Sequence, residues 1–224
     1  MLNGLKDFIV VTGHYGCGKT NFAINLAIDA AKEGRKVTIA DLDLVNPYFR
    51  TSDYRGLLES FGIEVITPVF GATNLDIPSL PASMYSIFER EGIVIADVGG
   101  DDVGSTVLGR FRPQFLKSDF DMLYVLNRYR SLNADPEETI EILQEIEAVS
   151  GLKATGLINN SHLMNETGMK EIMEGIRFTH EISGLTGLDI VANTVSRKLA
   201  DSGIVDMSGI EKPYTIDIYT GPDF

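Results

Sequence analysis

The chain has 224 residues, of which 44% are hydrophobic and 23% charged, a composition typical of a globular protein with a substantial core. Its net charge of −13 disfavours DNA binding and attachment to anionic membranes, because both require clustered lysine and arginine. A single cysteine excludes an intrachain disulfide, and no apolar run is long enough to span a bilayer. No signal peptide is visible, so we expect a cytoplasmic protein.

The first motif in chain order fits the phosphate-binding pattern G-x-x-x-x-G-K-[ST], in which backbone N–H groups surround phosphate oxygens. An apolar, β-branched run at 8–11 predicts a strand before the motif, and apolar residues at helical spacing from Phe22 to Ala30 predict a helix after it. We expect Lys19 to bind the β- and γ-phosphates and the Thr20 hydroxyl to bind Mg²⁺. The residues assigned to nucleotide binding here are Gly13, His14, Tyr15, Gly16, Cys17, Gly18, Lys19, Thr20 and Asn21.

Strand-like and helix-like segments alternate along the rest of the chain. Predicted strands lie at 36–40, 64–66, 93–96, 122–126, 154–158, 188–192 and 214–218. Predicted helices lie at 54–60, 81–90, 107–117, from 136 onward and at 166–183, with a loop at 67–80. The alternation and the near-continuously apolar strands predict one α/β domain over 1–224, a three-layer α/β/α P-loop fold whose mostly parallel sheet has about seven or eight strands.

Polar residues follow several of these strands, which is where parallel α/β folds place their ligand sites. Asp97 follows a buried strand, and we expect it to orient Mg²⁺ and to take part in catalysis. We expect the next glycines, Gly99–Gly100, to move when the γ-phosphate leaves. Asp41 is expected to support the metal shell and Asp43 to orient the attacking water, with turn or capping roles as the alternative for these carboxylates.

Four short segments occur in a fixed order along the chain: the phosphate-binding loop or P-loop (Gly13–Thr20), the strand end 41–43, and the segments 95–100 and 156–161. With these motifs the chain resembles the MinD/ParA/CobQ-like P-loop ATPases, which include the nitrogenase iron protein. The resemblance implies ATP and Mg²⁺ as cofactors, a water-positioning role for Asp43 and a Walker B role for Asp97.

The same resemblance implies a site for the base. An Asn after the G-x-x-x-N strand contacts adenine in the family, and Asn160 falls at that place with Asn159 just before it. An amide has the donor and the acceptor that pair with the adenine edge. Asn193 and Thr194, after the next predicted strand, are candidates to line the same pocket.

Three features differ from those of particular members of this family. Many members have a second lysine early in the loop that reaches across a dimer to the partner's nucleotide, and His14 occupies that place here. A nucleotide-linked homodimer is therefore left open, and we expect turnover that is slow or depends on a partner. Iron–sulfur members need cysteine pairs, and the single Cys17 lies inside the P-loop, which predicts no iron–sulfur cluster. The final segment 219–224 cannot form the basic amphipathic helix of membrane-positioning members.

The resulting hypothesis is a Mg²⁺-dependent ATPase that acts as a nucleotide-dependent switch on a protein partner. One alternative is a metabolic enzyme resembling dethiobiotin synthetase or the CobQ/CobB-type amidases, which would use ATP on a small carboxylate substrate. Another is a nucleotide-binding scaffold with negligible turnover. The sequence does not choose among five arginines as ligands for an anionic substrate or a transition-state charge: Arg50, Arg110, Arg112, Arg128 and Arg130.

Overall fold

A computed structural model describes residues 4–43, 51–67, 82–100, 102–130 and 135–219. Its strands are β1 (Phe8–Thr12), β2 (Val37–Asp41), β3 (Glu64–Ile66), β4 (Ile93–Asp97), β5 (Phe120–Leu126), β6 (Gly156–Asn159), β7 (Ile190–Ser196) and β8 (Pro213–Ile216). Its α-helices are α1 (Lys19–Lys32), α2 (Arg55–Ser60), α3 (Ala82–Tyr85), α4 (Asp102–Phe115), α5 (Pro136–Ser150), α6 (Met169–Thr186) and α7 (Arg197–Asp201). Short 3-10 helices lie at Thr51–Tyr54, Ser86–Glu89, Met164–Glu166 and Met207–Gly209.

The described strands form one eight-stranded sheet in the order β3-β2-β4-β1-β5-β6-β7-β8, and every neighbouring pair is parallel. This confirms the predicted mostly parallel α/β architecture. Strand β1 lies between β4 and β5, so the chain winds away from it in both directions. Such a reversal of strand order leaves a crevice at the carboxyl ends of the strands, and the P-loop follows β1 directly into it.

The sheet separates two apolar cores. Ile9 and Val11 of β1 pack on the face covered by α1, whereas Phe8 and Val10 pack on the face covered by α4 and α5. Because side chains alternate across a strand, an uninterrupted apolar run such as β1 is required when helices cover both faces. A third, smaller cluster joins α6 to the segment that precedes β8.

Most predicted elements form close to the expected residues, and α4 differs most. It begins at Asp102 rather than at 107, and Gly104 is part of its first turns. Gly104 packs so tightly that a Cβ there would lie 2.0 Å from the carbonyl oxygen of Gly99. Helix α5 begins at 136 as predicted: Pro136 is its first residue, and the Asp135 side chain accepts a hydrogen bond from the N–H of Glu137.

The predicted loop at 67–80 falls outside the described residues except for residue 67. Among the helices of the described ranges, none has the length and apolar character needed to cross a bilayer.

Candidate functional site

The P-loop is held open by glycines that no other residue would replace without strain. Gly13, Gly16 and Gly18 have φ angles of +145°, +75° and +90°. A Cβ on Gly13 would lie 2.1 Å from the carbonyl oxygen of Val125, and one on Gly18 would lie 2.2 Å from the amide nitrogen of Asn160. Gly18 is also the N-cap of α1, and it makes no side-chain hydrogen bond to the helix. The first N–H groups of α1 are therefore available to bind an anion.

Lys19 and Thr20 begin α1 at the mouth of this loop. The Lys19 ammonium is buried and donates a hydrogen bond to the carbonyl oxygen of His14 at 3.1 Å, so it spans the loop. The Thr20 hydroxyl donates to Oδ2 of Asp97 at 2.7 Å. The structure therefore brings together the two ends of the predicted phosphate and metal site, although they are far apart in sequence.

Asp97 is a buried carboxyl group in an unusual environment. Burial raises its pKa to about 6, and the nearby Asp41 carboxylate acts in the same direction, while hydrogen bonds from the hydroxyls of Thr20 and Thr51 oppose the shift. Oδ2 accepts both hydroxyls, whereas the buried Oδ1 has no hydrogen-bond partner among the described residues. A cation bound at this place would stabilise the ionised form.

Asp41 lies at the same end of the sheet, in register with Asp97. Its oxygens accept the backbone N–H groups of Asp43 at 3.2 Å and Ser52 at 3.1 Å, and burial raises its pKa. These residues fit Mg²⁺: the unpaired Asp97 oxygen and the Thr20 hydroxyl are hard oxygen donors, and Mg²⁺ commonly combines one or two carboxylates with phosphates and water. The described residues contain no cluster of three or more His, Cys, Asp or Glu side chains that would hold a metal by themselves.

The turn after β4 touches the P-loop. A Cβ on Gly100 would lie 1.7 Å from the carbonyl oxygen of Gly13, so only glycine permits this approach. Asp43 is half-buried beside Asp41 and is the last described residue before 51. Its role in orienting water stays a prediction.

Asn160 connects the P-loop to the neighbouring strands. Its amide nitrogen donates to the carbonyl oxygen of Cys17 at 2.7 Å, and its oxygen accepts the Thr194 hydroxyl at 2.5 Å. Asn160 and Thr194 also line a cavity of about 430 Å³, within the size range of small-molecule pockets. Other residues on the cavity wall include Ser161, His162, Ser196, Arg197, Asp217 and Tyr219.

Three asparagines assigned to the nucleotide are engaged elsewhere. Asn159 donates to the side chain of Asn193 at 2.8 Å, and Asn193, in mid-strand rather than at a strand end, donates to the carbonyl oxygen of Glu211 at 2.7 Å. Successive residues alternate across a strand, so Asn159 faces α6 while Asn160 faces the loop. Asn21 donates to the carbonyl oxygen of Asp217 and accepts the N–H of Tyr219, fixing the last described segment onto α1.

Residues 51 and 52 make links to the site that sequence reasoning missed. Thr51 donates to Oδ2 of Asp97 at 2.8 Å, and the N–H of Ser52 binds Asp41. Neither residue belongs to a motif, and each reaches its carboxylate only through the fold. Thr51 is fully buried, an unusual environment for a threonine outside a predicted strand or helix.

Comparison with known proteins gives two partial similarities. A stretch of 51 residues, 22% of this chain, is 45% identical to an iron–sulfur cluster carrier protein of Escherichia coli K12 and 43% identical to that of Salmonella typhimurium, and spans 14% of those relatives' length. The fold is similar to FtsY of Elizabethkingia anophelis in complex with GDP (TM-score 0.54, 18% identity, 82% of this chain and 55% of that one). It is also similar to FlhF complexed with GTP/Mg²⁺ (TM-score 0.54, 16% identity, 82% of this chain and 63% of that one).

The first similarity corrects one expectation. The single cysteine predicts no iron–sulfur cluster, but the relatives matched by sequence are named iron–sulfur cluster carriers, which contradicts that prediction. The count of cysteines limits only a cluster whose thiolate ligands all come from one chain. A cluster shared between chains, or held by another protein, takes its remaining ligands from outside this chain.

The family comparison covers most of the chain. The model CbiA, described as the CobQ/CobB/MinD/ParA nucleotide binding domain, matches residues 8–182, which includes the P-loop, both aspartate-bearing strand ends and Asn160. The parallel sheet and the P-loop, with Lys19 and with Thr20 bonded to Asp97, agree with this match. The chain therefore belongs to the CobQ/CobB/MinD/ParA family of P-loop nucleotide-binding proteins.

Proposed function

We propose that the protein binds ATP with Mg²⁺, hydrolyses it, and uses the cycle as a conformational switch acting on a protein partner. The observation that carries the proposal is the 2.7 Å hydrogen bond from Thr20 to Asp97. It joins the P-loop to the carboxyl end of β4 and places a hydroxyl and an unpaired carboxylate oxygen side by side at the loop.

The chain's own residues supply the parts of an in-line hydrolysis. Backbone N–H groups of the loop bind the phosphates, and Lys19 exchanges the carbonyl oxygen of His14 for phosphate oxygens. Asp43 orients the attacking water. The water oxygen forms a bond to the γ-phosphorus while the bond from that phosphorus to the β–γ bridging oxygen breaks, and ADP leaves. The water proton passes to the released phosphate. Mg²⁺ held by Thr20 and Asp97 would neutralise charge on the phosphates.

Contacts of residues 51 and 52 support the switch. Thr51 binds the same Asp97 oxygen as Thr20, and Ser52 binds Asp41, so the 3-10 helix Thr51–Tyr54 and the adjoining α2 rest on both carboxylates. Oδ2 of Asp97 accepts Thr51 and Oδ2 of Asp41 accepts Ser52, so metal ligation that turns either carboxylate would weaken these hydrogen bonds. Binding and release of the nucleotide would therefore shift this segment, the kind of ordered-segment change that other nucleotide switches use.

ATP rather than GTP is part of the proposal. Asn160 uses one amide hydrogen on the carbonyl oxygen of Cys17 and retains a second for the base in the adjoining cavity. The structural relatives FtsY and FlhF are described with GDP and GTP, so a direct competition between ATP and GTP is the appropriate test of this choice.

The main experiment measures Mg²⁺-dependent phosphate release by wild type and Lys19→Ala. We expect the variant to lose a factor on the order of 10²–10³ in turnover, because it removes a preorganised charge from the phosphates. Lys36→Ala is the matched control, since Lys36 is exposed and pairs with Glu91 at the other end of the sheet. Equal turnover in wild type and Lys19→Ala would refute hydrolysis at this site.

Two outcomes distinguish the remaining functions. Tight ATP binding without turnover would favour a scaffold. ADP release that appears only with an added small carboxylate would favour a ligase or kinase related to the CobQ/CobB members named in the family description.

Hydrogen exchange of residues 51–60, measured with ATP and with ADP, tests the switch. The switch requires that the exchange rates of this segment differ between the two nucleotides.

The carrier relatives support a second candidate function, the handling of an iron–sulfur cluster. Anaerobic incubation with ferrous iron and sulfide, followed by visible absorption and iron content per chain, tests it. Wild type and Cys17→Ser should differ if the buried thiol takes part; colourless, iron-free protein after gel filtration would exclude cluster binding by the chain itself.

A further inference from the structure

The turn that follows β5 is built around a buried asparagine. The carbonyl oxygen of Asn127 accepts the N–H of Arg130 at 3.1 Å, and its side-chain oxygen accepts the N–H of Tyr129 at 3.0 Å. The same side-chain oxygen accepts the N–H of His162 at 3.3 Å. Asn127 is fully buried, so this turn is fixed to the chain that leaves β6.

The two residues before Arg130 are held on α6. The N–H of Arg128 donates to the Ser161 hydroxyl at 3.0 Å, and the Arg128 guanidinium lies 5.9 Å from the ring centre of Phe178. The Tyr129 hydroxyl contacts Glu174 at 3.1 Å. These contacts leave the backbone at Arg130 little freedom, so the direction in which its side chain leaves the turn is determined by the fold.

Arg130 extends over the P-loop. Its Nε and Cδ lie 3.9 and 4.0 Å from the position that a Cβ on Gly16 would occupy. The residue is exposed, and within the described ranges no carboxylate or hydrogen-bond partner for its guanidinium is found. Close to it lies His162, whose pKa is lowered to about 4 by burial and by the charge of Arg130, so this imidazole is neutral at pH 7 and adds no charge beside the guanidinium.

The other candidate arginines are placed differently. Arg112 donates to the carbonyl oxygen of Gly151, and with Arg110 it lines a groove between α4 and α5. Arg128 is stacked on Phe178, and Arg50 lies outside the described residues. Of the arginines that the sequence left open, the structure brings Arg130 to the loop.

We propose that Arg130 is a ligand of the phosphate chain, supplied by the turn after β5 to an oligophosphate bound in the P-loop. The inference rests on the proposed nucleotide function and adds a residue to that site. The planar guanidinium matches phosphate geometry with two parallel hydrogen bonds, which lysine cannot reproduce. Because the turn already fixes the backbone of Arg130, only its side chain has to be ordered when the phosphate binds.

The test compares Arg130→Ala, Arg130→Lys and wild type by calorimetric titration with ATP and with ADP, each with Mg²⁺. We expect Arg130→Ala to raise both dissociation constants by about tenfold to a hundredfold, the effect of losing charge-assisted hydrogen bonds. Arg130→Lys should fall between the two. Arg35→Ala is the control, because it removes the same charge from an exposed ion pair with Asp7 at the amino end of the sheet.

Titration with inorganic tripolyphosphate separates this inference from the proposed function. If wild type binds tripolyphosphate but neither nucleotide, the ATP function fails, while weaker tripolyphosphate binding by Arg130→Ala still supports the role of Arg130. Unchanged affinities in Arg130→Ala, with the melting temperature of wild type, would overturn the inference. So would a loss of affinity of equal size in Arg35→Ala, since that would reflect net charge alone.

Discussion

Replacement of Gly18 by alanine tests the packing of Asn160 against the P-loop. A non-glycine residue in the left-handed region costs about 1–2 kcal/mol. The new Cβ would also lie 2.2 Å from the Asn160 amide nitrogen. Asn160 is buried and bonded at both ends, to Cys17 and Thr194, so it has to break two hydrogen bonds of about 1 kcal/mol each to move away.

Gly34→Ala provides the matched control. Gly34 has a φ of +79°, and nothing lies within 4 Å of the position that a Cβ would occupy there, so this substitution carries the backbone cost without the contact. We expect Gly18→Ala to be about 2 kcal/mol less stable than Gly34→Ala, which for a domain of this size is a gap of roughly 4–8 °C in melting temperature.

Calorimetry or thermal circular dichroism of the nucleotide-free protein measures the gap. In the double variant Gly18→Ala/Asn160→Ala the contact is gone, so its destabilisation should be smaller than the sum of the two single variants. Two results would refute the role of Asn160 in holding the P-loop in place. One is an equal melting temperature for Gly18→Ala and Gly34→Ala. The other is a destabilisation of the double variant that equals the sum of the two single variants.

Two predictions concern other parts of the site. The pKa of Asp97 is about 6 in the folded chain and 3.8 ordinarily, so the free energy of unfolding falls as the pH rises through this interval. Urea denaturation without Mg²⁺ and nucleotide measures this loss. Between about pH 4 and 7, wild type should lose about 3 kcal/mol of stability relative to Asp97→Asn. Parallel pH curves for the two proteins would contradict this. Asn25 accepts the N–H of Asp217 and donates to its carbonyl oxygen, both at 2.8 Å, so Asn25→Ala should accelerate hydrogen exchange at the Asp217 amide about tenfold or more while β1 is unaffected. Unchanged protection at Asp217 would show that the segment is held by other contacts.

Local residue patterns were enough to predict the architecture and the position of the phosphate loop. An uninterrupted apolar run such as 8–11 indicates a strand covered by helices on both faces of a sheet. The loop motif requires a strand before it and a helix after it, so both features follow from local patterns. The prediction that Asp97 ends a strand near the loop had the same local basis. Its contact with Thr20 is the consequence of two adjacent parallel strands ending at one edge.

The partner of each polar side chain became known only from the folded structure. Asn159 and Asn160 have the same side chain, and both were candidates for the base, yet the alternation of the strand directs the first to Asn193 and the second to the P-loop. Thr51 reaches Asp97 and Arg130 reaches Gly16 across long separations in the chain, through turns whose course no local pattern encodes. Local periodicity specifies elements and their buried faces, whereas the direction of a side chain at a strand end depends on the packing of every neighbouring strand and helix.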